Sequence, residues 1–272
     1  WAGQDSVVVC DLSLLKDTVD LPFSFFLKDF QIIKLDNRDE AMVGENNLCV
    51  SENYILVYGS VYELHPCRLF TKKGEFVTNI GAIGQGPGEY RAVYKAEIDE
   101  KHNCIYLMPF ANSNAIYVYD LAGKPLRSIP LHQSVSKAVF KVDADKRELT
   151  VGALPFTGYP FVAWVQDFEG HLLDSVPAAR HLSVLPDYSN EVMYGANTEV
   201  FDLYISTFFE LRPDTLYHYI RSESRLKPRF TLNIGDRKRS ITTFYELPQA
   251  YVGRLMVEEQ VGDGMWETKS PS

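Results

Sequence analysis

No stretch of about 18 consecutive apolar residues occurs in the 272-residue chain, so the sequence holds no transmembrane helix. Cysteine is scarce. The four present, Cys10, Cys49, Cys67 and Cys104, are widely spaced and form no C-x-x-C pair. That excludes a zinc knuckle or a thioredoxin-type redox motif, and free, buried thiols are the expectation. Positive charge is also short. Lys and Arg number 27 against 36 Asp and Glu, for a formal net charge of −9. A nucleic-acid binder or anionic-membrane binder needs a basic patch, and the densest candidate, Asp236-Arg-Lys-Arg-Ser240, reads as a solvated loop. No long segment carries the i, i+3, i+4 apolar spacing of an amphipathic helix. No Gly-x-Ser-x-Gly elbow anchors a hydrolase triad. The histidines at 65, 102, 132, 171, 181 and 218 show no metal-ligand spacing. These gaps leave a globular chain with a sizeable core, 46% hydrophobic and 13% aromatic, rich in residues that suit pleated sheets.

What the chain does contain is a repeat. Phe70-Thr-Lys-Lys-Gly74-Glu-Phe-Val-Thr-Asn-Ile80 returns as Tyr119-Asp-Leu-Ala-Gly123-Lys-Pro-Leu-Arg-Ser-Ile129. It returns again, more weakly, as Gln166-Asp-Phe-Glu-Gly170-His-Leu-Leu-Asp-Ser-Val176. The turn glycines lie 49 and 47 residues apart. A period of this size, carrying strand–turn–strand units, predicts an all-β propeller of four-stranded antiparallel blades. The spacing divides a single domain, 1–272, into a 1–30 preface, blades over 31–83, 90–131, 136–178 and 191–235, and a partial blade over 236–272. Strand candidates include Phe30–Leu35, Tyr54–Tyr58, Cys104–Met108, Ala115–Tyr119, Pro125–Ile129, Phe161–Val165, Phe208–Leu211 and Asp214–Tyr219. Val7–Cys10 reads as a strand that completes the blade made by the other end of the chain. Ala250–Val257 fits a strand better than a short helix.

The densest glycine cluster is Gly81-Ala-Ile-Gly84-Gln-Gly86-Pro-Gly88-Glu-Tyr90. Its spacing is wrong for a dinucleotide fingerprint, Pro87 stands where a helix would start, and no Gly-Lys-Ser/Thr follows. An inter-blade connection is the structural reading, with glycine supplying turns of positive φ. A ligand loop is the functional one, and its polar groups Gln85, Glu89, Tyr90 and Arg91 are the candidate binding residues. Asp143-Ala-Asp145-Lys-Arg-Glu148 has half the spacing of a calcium loop but no central glycine, and reads as a hairpin turn. Asp99, Glu100 and His102 read likewise.

From Gly81 to Ile129 the chain resembles the NHL-type propeller repeat. More closely, it is similar to the six-bladed β-propeller proteins widespread in Bacteroides and relatives. Three segments carry the likeness: Gly84-Gln-Gly-Pro-Gly-Glu-Tyr90, Asp214-Thr-Leu-Tyr217 and Leu226-Lys-Pro-Arg-Phe-Thr-Leu-Asn-Ile-Gly235. Together the likeness covers about residues 30 to 260. The resemblance implies an exported protein of the periplasm or the outer-membrane or cell surface, often a lipoprotein, with no established activity. Six blades at this period would take about 280 residues. The repeats begin near residue 31, so the expectation is a shortened ring with Met265–Ser272 a blade strand cut short. The chain opens on Trp1, which leaves any signal peptide out of view.

Two function classes follow. The first is a non-enzymatic binding module for a protein, peptide or glycan, favoured by the lack of a catalytic signature. The second is a metal-dependent propeller enzyme, a lactonase-like hydrolase or a lyase, with its site in the central channel. The residues name no cofactor. A third reading has another chain supplying the missing blades.

Overall fold

The computed structural model describes residues 6–14, 20–44, 47–59, 65–179, 182–207, 214–233, 240–262 and 265–269. The strand expected over Phe208–Leu211, the basic residues 237–239 and His181 lie outside them. Among the described residues the helices are short 3-10 turns at Leu12–Leu14, Phe23–Phe25, Asp39–Ala41 and Arg221–Glu223. Everything else regular is strand.

After β1 (Val8–Asp11), the strands β2 (Asn47–Val50), β3 (Tyr54–Tyr58), β4 (Cys67–Thr71) and β5 (Phe76–Ile80) form a sheet in chain order. A short parallel pair, β6 (Ala82–Ile83) and β7 (Glu89–Tyr90), brackets the glycine cluster. The strands β8 (Val93–Asp99), β9 (Cys104–Pro109), β10 (Ser113–Tyr119) and β11 (Ile129–Val135) make a second four-stranded sheet. A third consists of β12 (Ala138–Asp143), β13 (Glu148–Ala153), β14 (Phe161–Asp167) and β15 (Leu172–Pro177). The next comprises β16 (Glu191–Met193), β17 (Asp202–Ser206), β18 (Asp214–Ile220) and β19 (Arg225–Asn233), with β1 added in parallel on the β19 edge. Last comes the three-stranded β20 (Ser240–Leu247), β21 (Ala250–Gly262) and β22 (Met265–Lys269). Successive four-stranded meanders are the blade unit of a β-propeller, and among the described residues no sheet closes on itself.

Two compact units emerge. One comprises Trp1–Leu21, Thr150–Trp164 and Asp174–Ser272; the other comprises Pro22–Leu149 and Val165–Leu173. In the second unit, strand β3 explains the core. Leu56 and Tyr58 point from one face into a cluster with Leu69, Ile80, Tyr90, Ile105, Leu107 and Tyr119. Ile55 and Val57 point from the other face into a cluster with Ala41 and Phe70, joined by Ile33 and Leu35. A strand covered on both faces reads as a continuous apolar run, as Tyr54–Tyr58 does. In the first unit, Tyr204, Leu216, Phe230 and Phe244 form the corresponding cluster, with Tyr251 and Cys10 against it.

The repeated glycines hold one conformation, φ +87° at Gly74, +82° at Gly123 and +90° at Gly170. Three residues before each, a side-chain oxygen caps the turn. Asp120 Oδ1 accepts from the backbone N–H of Ala122 (3.0 Å) and Lys124 (2.8 Å), and Asp167 Oδ1 accepts from Glu169 (2.9 Å) and His171 (2.8 Å). Thr71 Oγ1 does the same for Lys73 and Glu75. Each turn also packs on an earlier carbonyl. A Cβ on Gly74, Gly123 or Gly170 would stand 2.0 Å from Lys34 O, 2.2 Å from Asn79 O or 3.3 Å from Pro130 O. The recurring sequence therefore encodes a recurring turn docked on backbone about 40 residues earlier in the chain.

Two expected strands differ. Phe30–Leu35 is irregular: no strand among the described residues pairs with it, although Asp36 donates to Gly74 O at 2.8 Å. Pro125–Ile129 is displaced, and the fourth strand of its sheet is β11. Tyr119 pairs with Pro125, but the ladder resumes at Ile116 with Ile129, one residue out of step. Pro125 is tolerated there because the ladder bonds run through its neighbours, Asp120 N–H to Lys124 O at 2.9 Å and Leu126 N–H to Val118 O at 2.7 Å, and the chain bulges over 127–128 before pairing again. Residues 250–257 lie in strand β21. The four cysteines are free, and burial pushes the Cys67 thiol up to about 12.

Candidate functional site

The glycine cluster is a loop held by its own side chains. The Glu89 carboxylate folds back over it, and its Oε2 accepts from the Gly86 N–H at 2.8 Å. The carboxylate occupies the space beside Gly84 and Gly86: a Cβ there would lie 1.9 Å and 3.1 Å from Glu89 Oε2. Glu89 N–H donates to Gly86 O and Gly84 N–H to Tyr90 O, both at 3.0 Å. Tyr90 turns into the core. Its hydroxyl donates to Ile80 O at 2.5 Å and accepts from Cys67 N–H at 2.6 Å. Burial raises the Tyr90 phenol far above its ordinary range, so it stays a neutral hydrogen-bonding group. The ring stands edge-on to Tyr119, centroids 6.2 Å apart, and Tyr119 donates to Gly88 O at 3.3 Å.

Between this loop and the bulged chain after Pro125 lies a cavity of about 410 Å³. Pro87, Pro125 and Leu126 give it apolar walls, Tyr117 and Tyr119 give it aromatic ones, and Glu89 and Ser128 are its polar side chains. Of the residues singled out in the sequence, Glu89 lines this cavity. Tyr90 is buried in the core beneath the loop, and Gln85 and Arg91 are exposed residues that do not line it. Tyr117, Leu126 and Ser128 went unmarked in the sequence. Leu126 and Ser128 reach the cavity through the displaced outer strand, which no residue type in 125–129 announces.

A second cavity, about 430 Å³, lies among the hairpin turns, and half of its lining residues are acidic. Glu97 reaches into it and accepts from Val142 N–H at 3.1 Å; burial, with Asp99 nearby, pushes its carboxyl up to about 7. His102 lies between two carboxylates, Nδ1 2.7 Å from Asp99 and Nε2 3.2 Å from Asp145, and Lys101 pairs with Asp145 at 2.6 Å. Asp143 Oδ1 caps its own turn by accepting from Lys146 N–H, so the half calcium loop is a hairpin turn. Among the described residues, no three His, Cys, Asp or Glu side chains are grouped to hold a metal ion. His218 is buried on β18, where it pairs with Glu246 of β20; Tyr251 donates to the other Glu246 oxygen at 3.2 Å. That arrangement ties a blade strand to the following hairpin.

Comparison with known proteins adds the following. The family model described as a domain of unknown function, DUF4934, matches residues 7–254. A crystal structure of an inferred exported protein from Bacteroides fragilis is similar with a TM-score of 0.59 and 16% identity, over 93% of this chain and 77% of that one. The WD40 β-propeller domain of Doa1 is similar with a TM-score of 0.45 and 12% identity, over 77% of this chain and 58% of that one. No curated protein matches the sequence. The first structural likeness speaks to the fold.

Proposed function

The chain belongs to the DUF4934 family, and from that premise we propose an exported binding module of the bacterial envelope that captures a protein, peptide or glycan. The reading extends to a six-bladed type built from NHL-like repeats, placed in the periplasm or at the cell surface. Export is supported by the inferred export of the Bacteroides fragilis protein that shares the fold. Binding is supported by one observation, the cavity between the 84–90 loop and the bulged strand. It is concave, mixed apolar and aromatic, and carries few polar groups, the usual character of a ligand site. On the loop side, Tyr90 and Glu89 fasten the wall from inside.

The test compares the unaltered protein with Leu126→Arg on peptide and glycan arrays. Leu126 is 42% exposed, so a longer side chain obstructs the cavity mouth without entering the core. Ligands held by the unaltered protein and lost by the variant support the reading. Identical array patterns for the two proteins overturn it.

A further inference from the structure

We propose that the cavity beside the glycine loop accepts a basic side chain, lysine or arginine, of a partner polypeptide, with Glu89 as its counter-charge. This rests on the binding reading above. The Glu89 carboxylate spends one oxygen, Oε2, on the Gly86 N–H. Its other oxygen, Oε1, accepts no hydrogen bond from the described residues, yet the side chain lines a cavity whose walls are Pro87, Leu126 and the Tyr117 ring. An apolar ligand filling that space would strip water from a carboxylate oxygen and give nothing back. An acidic one would add repulsion. An ammonium or guanidinium supplies the missing donors, and its methylene stem suits proline, leucine and tyrosine walls. Lys124 and Arg127, the cations flanking Pro125 and Leu126, do not line the cavity and leave the counter-charge free. A surplus of nine negative charges on the chain favours the same partner.

The experiment is calorimetric titration with short blocked peptides that differ only at a central residue: lysine, arginine, acetyl-lysine, norleucine or glutamate. The expected result is binding of the lysine and arginine peptides, weakened at least tenfold by acetylation or by norleucine. Glu89→Gln keeps an oxygen for the Gly86 N–H, so the loop stays closed while affinity falls at least tenfold. The acetyl-lysine arm uses the unaltered protein and stands even if that variant misfolds. Equal binding of lysine, acetyl-lysine and norleucine peptides overturns the counter-charge role and leaves the binding module standing. No binding of either basic peptide overturns the inference outright. The binding reading fails separately, on unchanged array patterns for Leu126→Arg.

Discussion

Gly123 and Gly158 share positive φ, +82° and +98°, but their surroundings differ. A Cβ at Gly123 would fall 2.2 Å from Asn79 O, a backbone atom that cannot step aside; at Gly158 it would meet nothing within 4 Å. Gly158→Ala therefore pays only the left-handed conformation, about 1–2 kcal/mol. Gly123→Ala adds displacement of the preceding repeat and should cost clearly more, read as a larger drop in urea midpoint. Equal drops would mean that the turn is not docked as described. Glu97 offers a pH test at the same scale. Its carboxyl titrates near 7 in the folded protein against 4.5 for an ordinary glutamate. Below 4.5 both states are protonated and the residue is neutral for stability. As pH rises from about 4.5 through 7 the unfolded chain ionises first, so stability is lost, by about 3 kcal/mol in full above pH 7. Glu97→Gln retains an acceptor for Val142 N–H and should stabilise the protein at pH 8 while changing little at pH 4.5. A stabilisation independent of pH would assign the gain to packing instead.

Elements show how far local sequence reaches. The 47- and 49-residue spacing of the turn glycines was legible because the conformation they adopt is local: a capped turn needs its oxygen three residues before the glycine, and the chain writes both in one short segment. Strands such as Tyr54–Tyr58 and Cys104–Pro109 were legible because apolar, β-branched and aromatic runs bounded by Asn and Asp leave little alternative. Phe30–Leu35 has the same composition but no partner strand among the described residues, and composition carries no information about a partner. The outer strand after Gly123 moved because the ladder slips by one residue between Pro125 and Ile129, a slip that no residue type in that segment announces. For the site, the loop was conspicuous and its opposite wall was not, since Tyr117, Leu126 and Ser128 reach it only through the fold. Tyr90 links the loop to the sheets: its hydroxyl satisfies Cys67 N–H and Ile80 O at once. Tyr90→Phe leaves both groups buried and unpaired, so about 2–4 kcal/mol of stability should go. Amide exchange at Cys67 should quicken along with it. Unchanged exchange would show that the hydroxyl does not fasten the loop.

At the scale of the whole molecule, charge is the property that repeats and strands do not determine. The chain carries 36 acidic side chains against 27 basic ones, and its candidate site itself holds a carboxylate. Fields of that kind act over a screening length of about 10 Å at 0.1 M salt and 30 Å at 0.01 M, so their reach shrinks steeply with ionic strength. Steering acts on encounter, whereas the contact between Glu89 and a basic side chain acts on escape. The two are separable kinetically. For a lysine-bearing peptide, the association rate should fall several-fold between about 0.01 M and 0.3 M salt, with a smaller change in dissociation. Glu89→Gln removes one charge of many, so it should leave most of that salt dependence in place and raise the dissociation rate. Surface plasmon resonance over a salt series measures both rates. An association rate that ignores salt would deny the molecule's field any part in capture. A salt dependence abolished by Glu89→Gln alone would place the whole electrostatic effect in one contact and leave the net charge of the chain no part in capture.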